Sequence, residues 1–456
     1  MSRDADLSRT GVLVIGAGLA GLRAALAARQ AVPDLPLTLA CPLSGPSGSS
    51  FANRNNALGM QVPDPGDASF DAEVLALAAP GFADPELVAL LRRDAAARLD
   101  DLRAWGLCFD QGPDGSLART PGCFSAAPRA VVFRDLAQAY ERLLAQARAA
   151  GIAFRHGLEA RLLLVEEGRA AGALFRAADG GAQAITARAV VLASGGPSPL
   201  FARQMSGPGN TGLSYGLLDA AEARPANAGF LQFFWNDTET GRFVSPAAVF
   251  RPGAVLRGPS GDLRLEPGHP ALALIAERAG HCPAGYGLSD AALDELLLAH
   301  RGSDGLTRLT TGQGRDICLE LCAHAGNGGA VVDGDARTTR PGLFACGECA
   351  TGMHGANRMG GAMVLATQVF GARAGAGAAR WAAGRDEPAL REIPPLPPLE
   401  SPELAARIRS GMERHCLFGP RPGLREFAAE LEELAAGSML ARSALVVARD
   451  LLARKQ

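Results

Sequence analysis

The sequence lacks an excess of either charge, and it lacks long apolar runs. Its 45 Lys and Arg residues nearly balance 47 Asp and Glu residues, which leaves a formal net charge of −2. We therefore expect no basic surface for nucleic acid or anionic lipid. No segment approaches the roughly 18 uninterrupted apolar residues of a membrane-spanning helix, so no transmembrane segment is expected.

The cysteine usage and the first residues do not favour export. The nine cysteines are scattered and odd in number, which does not suit a disulfide framework and favours a reducing compartment. The opening MSRDADLSRT lacks the charged-then-apolar layout of a secretory signal peptide. A cytoplasmic protein is expected, and a peripheral membrane subunit attached through a partner stays open.

A glycine-rich turn follows the first predicted strand. Residues 11–15 form a continuous apolar run, typical of a strand buried on both faces, and residues 19–31 favour a helix. Between them stands G-x-G-x-x-G, formed by Gly16, Gly18 and Gly21. The first glycine permits a tight turn, the second lets the backbone approach a pyrophosphate, and the third lets the helix pack on the strand. The pattern in this context predicts a dinucleotide site.

This first motif does not identify the dinucleotide. The second strand of such a unit usually ends in an acid that binds a ribose hydroxyl. Ala40 and Cys41 stand at that place here. FAD and NAD therefore both stay open at this point.

A second motif lies towards the other end of the chain. Gly347-Glu348 ends a predicted strand, and His354-Gly-Ala-Asn-Arg358 precedes a helix predicted over 360–383. Together with the early fingerprint, this run resembles the succinate dehydrogenase/fumarate reductase flavoprotein family, and its aspartate oxidase branch in particular. The resemblance covers about residues 10–380, with further matches in the same order at Ser49-Ser50, 191–196, 227–233 and His324 with Gly328-Gly329.

The resemblance implies an α/β fold. It consists of a Rossmann-like, glutathione-reductase-like FAD-binding domain, an inserted α+β capping domain and a short C-terminal helical region. The predicted boundaries are 1–229 and 326–390 for the two parts of the FAD-binding domain, 230–325 for the capping domain, and 391–456 for the helical region.

The same resemblance implies FAD as the cofactor. Glu348 can accept hydrogen bonds from ribose or ribityl hydroxyls, and the helix after Gly360 can direct its N-terminus at the flavin edge where charge develops on reduction. Relatives that hold FAD covalently carry a histidine where Ser49 stands, so non-covalent FAD is predicted. The expected FAD contacts are Gly16, Gly18, Leu19, Ala20, Gly21, Ser49, Ser50, Ser194, Gly195, Gly347, Glu348, Gly361, Met363 and Val364.

The family moves a hydride between flavin N5 and a carbon next to a carboxylate, which implies a small carboxylate-bearing substrate. Arg358 is the expected carboxylate clamp, since a guanidinium can hold a carboxylate through two hydrogen bonds. His324 matches the family's substrate-binding histidine, and His354 lies in the same run as Arg358. All three are predicted to serve the substrate, although packed histidines are the alternative for His324 and His354.

Several family positions for substrate chemistry are changed. A substrate-facing histidine is replaced by Phe234, followed by Trp235, and a Thr-Glu pair is missing. The family's proton-relay arginine has its nearest match at His269, which is the predicted substitute. Arg257 is a further candidate cation, with a solvated surface charge as the alternative. A pocket lined by Phe234 and Trp235 favours a substrate larger or less charged than succinate, fumarate or aspartate.

Cys346 and Cys349 form a C-x-x-C pattern, which raises the alternatives of a redox dithiol or a metal site. They stand on the flavin strand, where relatives carry small residues, and free cysteine packs there as a small apolar group. We therefore expect no metal or iron–sulfur site in this chain.

Three functions stay open from the sequence. The preferred one is an FAD oxidoreductase acting on a bond beside a carboxylate. The second is a flavoprotein subunit that passes electrons to an acceptor or to an iron–sulfur protein partner. The third is a non-catalytic descendant that keeps the fold and FAD but has lost the chemistry.

Overall fold

The computed structural model describes residues 6–454. Up to residue 226, strands and helices alternate and build most of the large α/β layer. In chain order they are β1 (Asp6–Ile15), α1 (Leu19–Ala31), β2 (Leu37–Cys41), α2 (Gly48–Phe51), β3 (Gly59–Gln61), α3 (Ala68–Ala78), α4 (Pro85–Ala104), β4 (Ala130–Val132), α5 (Leu136–Ala149), β5 (Ala153–His156), β6 (Leu158–Glu166), β7 (Arg169–Ala177), β8 (Ala182–Leu192), α6 (Ser214–Ala220) and β9 (Pro225–Ala226).

The following stretch contains short helices and a separate group of strands. These elements are β10 (Leu231–Asp237), α7 (Pro246–Val249), β11 (Val255–Arg257), β12 (Leu263–Arg264), α8 (Pro270–Ala273), α9 (Ile275–Arg278), α10 (Ala291–Ala299), β13 (Leu306–Thr310) and β14 (Asp316–Gly326). The strands form an antiparallel sheet in the order β10-β14-β13-β11-β12. We call this stretch the cap.

After the cap the chain returns to the α/β layer and ends in helices. The elements are β15 (Gly329–Val331), β16 (Leu343–Ala345), β17 (Ala350–Thr351), α11 (Ala362–Ala383), α12 (Pro402–His415), α13 (Leu424–Ala435) and α14 (Met439–Ala453). Small residues let α11 lie against α1, since a Cβ added at Gly375 would stand 1.9 Å from the Ala24 carbonyl oxygen. Within residues 6–454, no helix has the length and apolar character needed to cross a bilayer.

A seven-stranded sheet forms the centre of the α/β layer. Its order is β5-β2-β1-β8-β7-β6, and β16 pairs with the carboxyl half of β8. The strands β5, β2, β1, β8 and β16 are parallel, whereas β7 pairs antiparallel with both of its neighbours, β8 and β6. Parallel strands covered on both faces require continuous apolar sequence, and residues 12–15 and 189–192 are at most 3% exposed. The predicted α/β, Rossmann-like class is confirmed, and the carboxyl ends of β1, β2, β8 and β16 open on one edge.

Candidate active site

A cavity opens at this carboxyl edge of the sheet. Its wall combines the ends of β1, β2, β8 and β16 with the N-terminus of α1. Ala40 and Cys41, where a ribose-binding acid was missing from the sequence, lie in this wall. Glu348 carries the only carboxylate among the described lining residues, and the other polar side chains are hydroxyls, thiols and the Asn210 amide.

Each of the three fingerprint positions requires glycine for a different structural reason. Gly16 has a φ of +109°, and a Cβ added there would stand 2.3 Å from the Ala193 carbonyl oxygen. A Cβ at Gly21 would stand 1.9 Å from the Gly16 carbonyl oxygen, which is the close packing of α1 on its strand. A Cβ at Gly18 would instead meet only the Ser50 hydroxyl, at 3.6 Å. The backbone at Gly18 is therefore open to a close-lying ligand.

A second cavity continues from the first. Both are lined by Leu19, Ser49, Ser50, Glu348 and Thr367, so they form one elongated space. The second cavity lies between the cap and the start of α11. Its remaining lining residues are Asn53, Asn55, Ala57, Leu58, Gly59, Cys123, Phe234, Phe243, His324, Ala325, Arg358, Gly361, Met363 and Val364.

The polar groups along this space fit FAD. The Asn210 side-chain nitrogen lies in the wall of the first cavity, is sealed from solvent and has no partner among the described residues. The first-turn amides of a helix lack intrahelical acceptors, and Met363 and Val364 of α11 line the second cavity. Glu348 stands where the two cavities join. Burial raises the pKa of its carboxyl to about 7, an effect that the charge of Arg358 partly offsets.

Arg358 is held in the wall of the second cavity by neutral partners. Its Nε donates to Asn327 Oδ1 at 3.0 Å, and its Nη2 donates to Gln232 Oε1 at 2.5 Å. Gln232 in turn donates to the Arg358 carbonyl oxygen at 3.0 Å. Among the described residues, Nη1 has no hydrogen-bond partner and the guanidinium has no salt bridge. Glu348 and Cys123 act on it only at longer range.

The side chain before Arg358 fixes this loop to the cap. Asn357 accepts from the Tyr286 amide at 2.7 Å and donates to the Tyr286 carbonyl at 3.0 Å. Arg358 itself is only 6% exposed. Burial lowers its pKa to about 10, so the guanidinium is charged at neutral pH. Within residues 6–454, the structure therefore contains a positioned, buried cation whose remaining nitrogen lacks a partner.

His324 lies beside Arg358 in the second cavity, but His354 does not line either cavity. The His324 ring meets Phe234 edge-on, with 4.7 Å between ring centroids. Burial and then the charge of Arg358 lower the pKa of His324 to about 3. The same two causes lower the pKa of His354 well below its usual value. Both rings are thus neutral at physiological pH, and Arg358 is the one cation among the described residues that line these two cavities.

The structure does not bring Arg257 or His269 to the cavities, contrary to the expectation. Arg257 is exposed, pairs with Asp262 and lies on a separate groove of the cap sheet. His269 caps α8, where its Nδ1 accepts from the Ala271 amide at 3.2 Å. The physical reason is the strand order of the cap, since β10 and β14 carry the cavity-facing Phe234 and His324 whereas β11 and α8 lie outside this wall.

Trp235 also differs from the expectation. Successive side chains of a strand point to opposite faces, so Phe234 faces the cavity and Trp235 faces away. Trp235 is 1% exposed, and its Nε1 donates to Asp294 Oδ1 at 2.8 Å. The aromatic neighbour of Phe234 in the cavity wall is instead Phe243, with 5.3 Å between ring centroids.

Other residues of the site were not assigned a role from the sequence. Gln232 and Asn327 hold Arg358 without lining either cavity. They lie within segment 227–233 and next to Gly328, and these positions mark them as candidates. Cys123 and Phe243 lie in irregular loops, where the sequence carries no periodicity that would place them. The Cys346 and Cys349 thiols are buried, and Cys349 contacts the Gly195 carbonyl at 3.4 Å.

The sequence matches known proteins over most of its length. A family model described as FAD binding domain matches residues 11–237 and 318–364. L-aspartate oxidase of Caulobacter vibrioides is 34% identical over 450 residues, which cover 94% of this chain and 87% of that protein. L-aspartate oxidase of Halobacterium salinarum is 32% identical over 459 residues, covering 94% and 86%.

Solved structures show the same fold. The Mycobacterium smegmatis Sdh1 complex in the apo form contains a chain that matches with a TM-score of 0.77 and 23% identity, covering 97% of this chain and 86% of that one. A mutant form of FrdA from Escherichia coli quinol fumarate reductase matches with a TM-score of 0.67 and 20% identity, covering 98% and 87%. The protein is thus an FAD-dependent oxidoreductase by family and fold. The chain belongs to the succinate dehydrogenase/fumarate reductase flavoprotein family, close to the L-aspartate oxidases.

Proposed function

We propose that the protein moves a hydride between flavin N5 and a carbon next to a carboxylate, and that Arg358 holds this carboxylate. The observation that carries the proposal is the buried guanidinium without a salt bridge among the described residues. A buried cation is costly unless an anion pairs with it, and a carboxylate is the anion that a guanidinium binds with two parallel hydrogen bonds. The Nη1 and Nη2 groups of Arg358 are available to donate these two hydrogen bonds to the carboxylate.

The other wall residues orient the substrate and exclude water. FAD supplies the two-electron hydride chemistry when it is bound. Neutral His324 can donate or accept one hydrogen bond beside Arg358, and Phe234 closes the cap side of the cavity. Holding the acid in one orientation supplies the positional part of the rate enhancement.

We further propose that FAD is held without a covalent bond and that the substrate is neither succinate nor aspartate. Ser49 stands where the covalent histidine of relatives is expected, and His324 is the only histidine among the described residues of the two cavity walls. Thirteen of the fourteen expected FAD contacts line the two cavities and belong to the same proposal, as does the capping domain at 230–325. Gly21 lines neither cavity and instead packs α1 against the Gly16 carbonyl. Electrons leave to dioxygen or to a partner protein, and dioxygen uptake by the isolated holoprotein distinguishes these acceptors.

Replacement of Arg358 tests the clamp. Anaerobic reduction of the flavin by a panel of saturated carboxylic acids gives the rate and the apparent affinity for each acid. Because a hydrogen bond to a charged group contributes about 1.5–3 kcal/mol, Arg358→Gln is expected to weaken affinity roughly 10- to 100-fold, with the FAD content unchanged. Arg358→Lys keeps the charge and is expected to recover part of the loss.

Arg257→Gln is the matched control, because this arginine is exposed and paired with Asp262 outside the cavities. It should leave rate and affinity as in the wild type. If Arg358→Gln reduces with wild-type rate and affinity, Arg358 does not hold the substrate. If no carboxylate reduces the wild-type flavin, the reaction class is wrong.

A further inference from the structure

The second cavity offers a single cation from the part of the chain that the structure describes. Arg358 is the only Lys or Arg in its wall, and His324 is neutral. Arg54, in the early loop beside this wall, pairs with Glu320 at 2.7 Å. A second carboxylate on the ligand would therefore lose its hydration without gaining an ionic partner.

The described wall residues offer no free carboxylate for an ammonium group either. Glu348 is their only carboxylate, and it stands at the junction with the first cavity, where burial raises its pKa to about 7. The other polar lining groups are hydroxyls, amides, the neutral His324 ring and the Cys123 thiol. A hydrogen bond from Cys282 lowers the pKa of Cys123 to about 6, and the charge of Cys123 already acts on Arg358. A ligand that carries an amino group beside its carboxylate would therefore lack a dedicated carboxylate partner for that charge.

The cap side of this wall is apolar and aromatic. Phe234 and Phe243 pack together there, with an angle of 51° between their rings. Met205 and Cys322 pack behind Phe234 and are at most 1% exposed, so this face of the wall is a supported apolar surface. Phe243 is 41% exposed, so its ring offers uncovered apolar area in this wall. An apolar group of the ligand would cover both rings.

We propose that the substrate is a monocarboxylic acid without an amino group, whose apolar chain or ring packs against Phe234 and Phe243. The proposal rests on the proposed function, since the carboxylate is the one held by Arg358. The new proposal specifies the part of the substrate that lies away from this carboxylate. The polar family histidine at position 234 is replaced by an aromatic ring, which is the change that such a substrate requires.

The test is equilibrium binding of two acids to the holoprotein, followed by the change in the flavin absorption spectrum. Phenylacetate has one carboxylate and an aromatic ring, whereas malonate has two carboxylates and no ring. Neither can lose hydrogen across an α,β carbon–carbon bond, so binding is measured without turnover. Phenylacetate is expected to bind at least tenfold more tightly than malonate.

Two variants locate the apolar subsite. Phe243→Ala removes an exposed ring and is expected to weaken phenylacetate binding several-fold while malonate binding stays unchanged. Phe234→Ala should do the same, and Phe154→Ala, on the edge strand β5 outside both cavities, is the matched control. Equal or tighter malonate binding, or an equal effect of Phe243→Ala on both acids, overturns the inference alone. Absence of binding by either acid overturns the Arg358 site of the proposed function and the inference with it.

Discussion

At the residue scale, the site residues are of two kinds. Some are placed at the cavity by the motif in which they lie, whereas the location of others depends on how the cap folds. Gly18 and Arg358 could be predicted because each lies next to a strand end or a helix start that places it. Arg257 and His269 could not be placed, because their distance from the cavity depends on which cap strands face the α/β layer. The positive charge of a residue does not indicate which cap strand faces the α/β layer.

The glycine fingerprint yields a prediction from two neighbouring substitutions. Gly18→Ala adds a methyl group into open cavity, so the apoprotein is expected to unfold at the wild-type urea concentration while FAD binds at least about tenfold more weakly, a change of about 1.4 kcal/mol. Gly21→Ala places the same group 1.9 Å from a carbonyl oxygen and should cost about 1–3 kcal/mol of unfolding free energy. Urea unfolding and FAD fluorescence titration measure both quantities. Wild-type FAD affinity in Gly18→Ala would mean that the dinucleotide does not pass over this residue.

At the scale of elements, strand β10 has two different faces. Its cavity face carries Phe234, and its other face carries Trp235 against a buried ion cluster. Arg278 donates to both carboxylate oxygens of Asp294 at 2.9 Å and to Asp290 at 3.1 Å, with exposures of at most 2% for all three side chains. The aromatic cluster was visible in the sequence, but the alternation that assigns each ring to a face needs the strand register.

The buried cluster predicts that the charge of Arg278 stabilises the folded cap. Arg278→Met leaves the buried Asp294 without its cation and Asp290 with only the His281 ring as a partner, and breaking a buried pair in this way costs about 3–5 kcal/mol. The variant should unfold at lower urea concentration, with earlier proteolysis within the cap. Arg308→Met is the control, because its pair with Asp304 is solvent-exposed, and it is expected to unfold like the wild type. Coinciding unfolding curves for the two variants would show that the cluster does not stabilise the cap.

At the scale of the whole molecule, the two halves of the site differ in how far the sequence could predict them. The FAD half follows from two motifs at the carboxyl ends of parallel strands, and the sheet brings these ends to one edge, as the family resemblance implied. The substrate half combines the cap, an early loop and the start of α11, and no single motif contains it. Its cation was predictable as Arg358 and one ring of its apolar wall as Phe234, whereas the second ring, Phe243, required the fold.

The most direct measurement is a single turnover of reduced holoprotein. The flavin is reduced with dithionite without dioxygen and then mixed with an aromatic α,β-unsaturated monocarboxylic acid or with its methyl ester. The account predicts that the acid restores the oxidised flavin spectrum and that the ester, which offers Arg358 no charge, does so far more slowly. Equal rates with acid and ester, or no reoxidation by any unsaturated acid, would contradict hydride transfer beside a carboxylate held by Arg358.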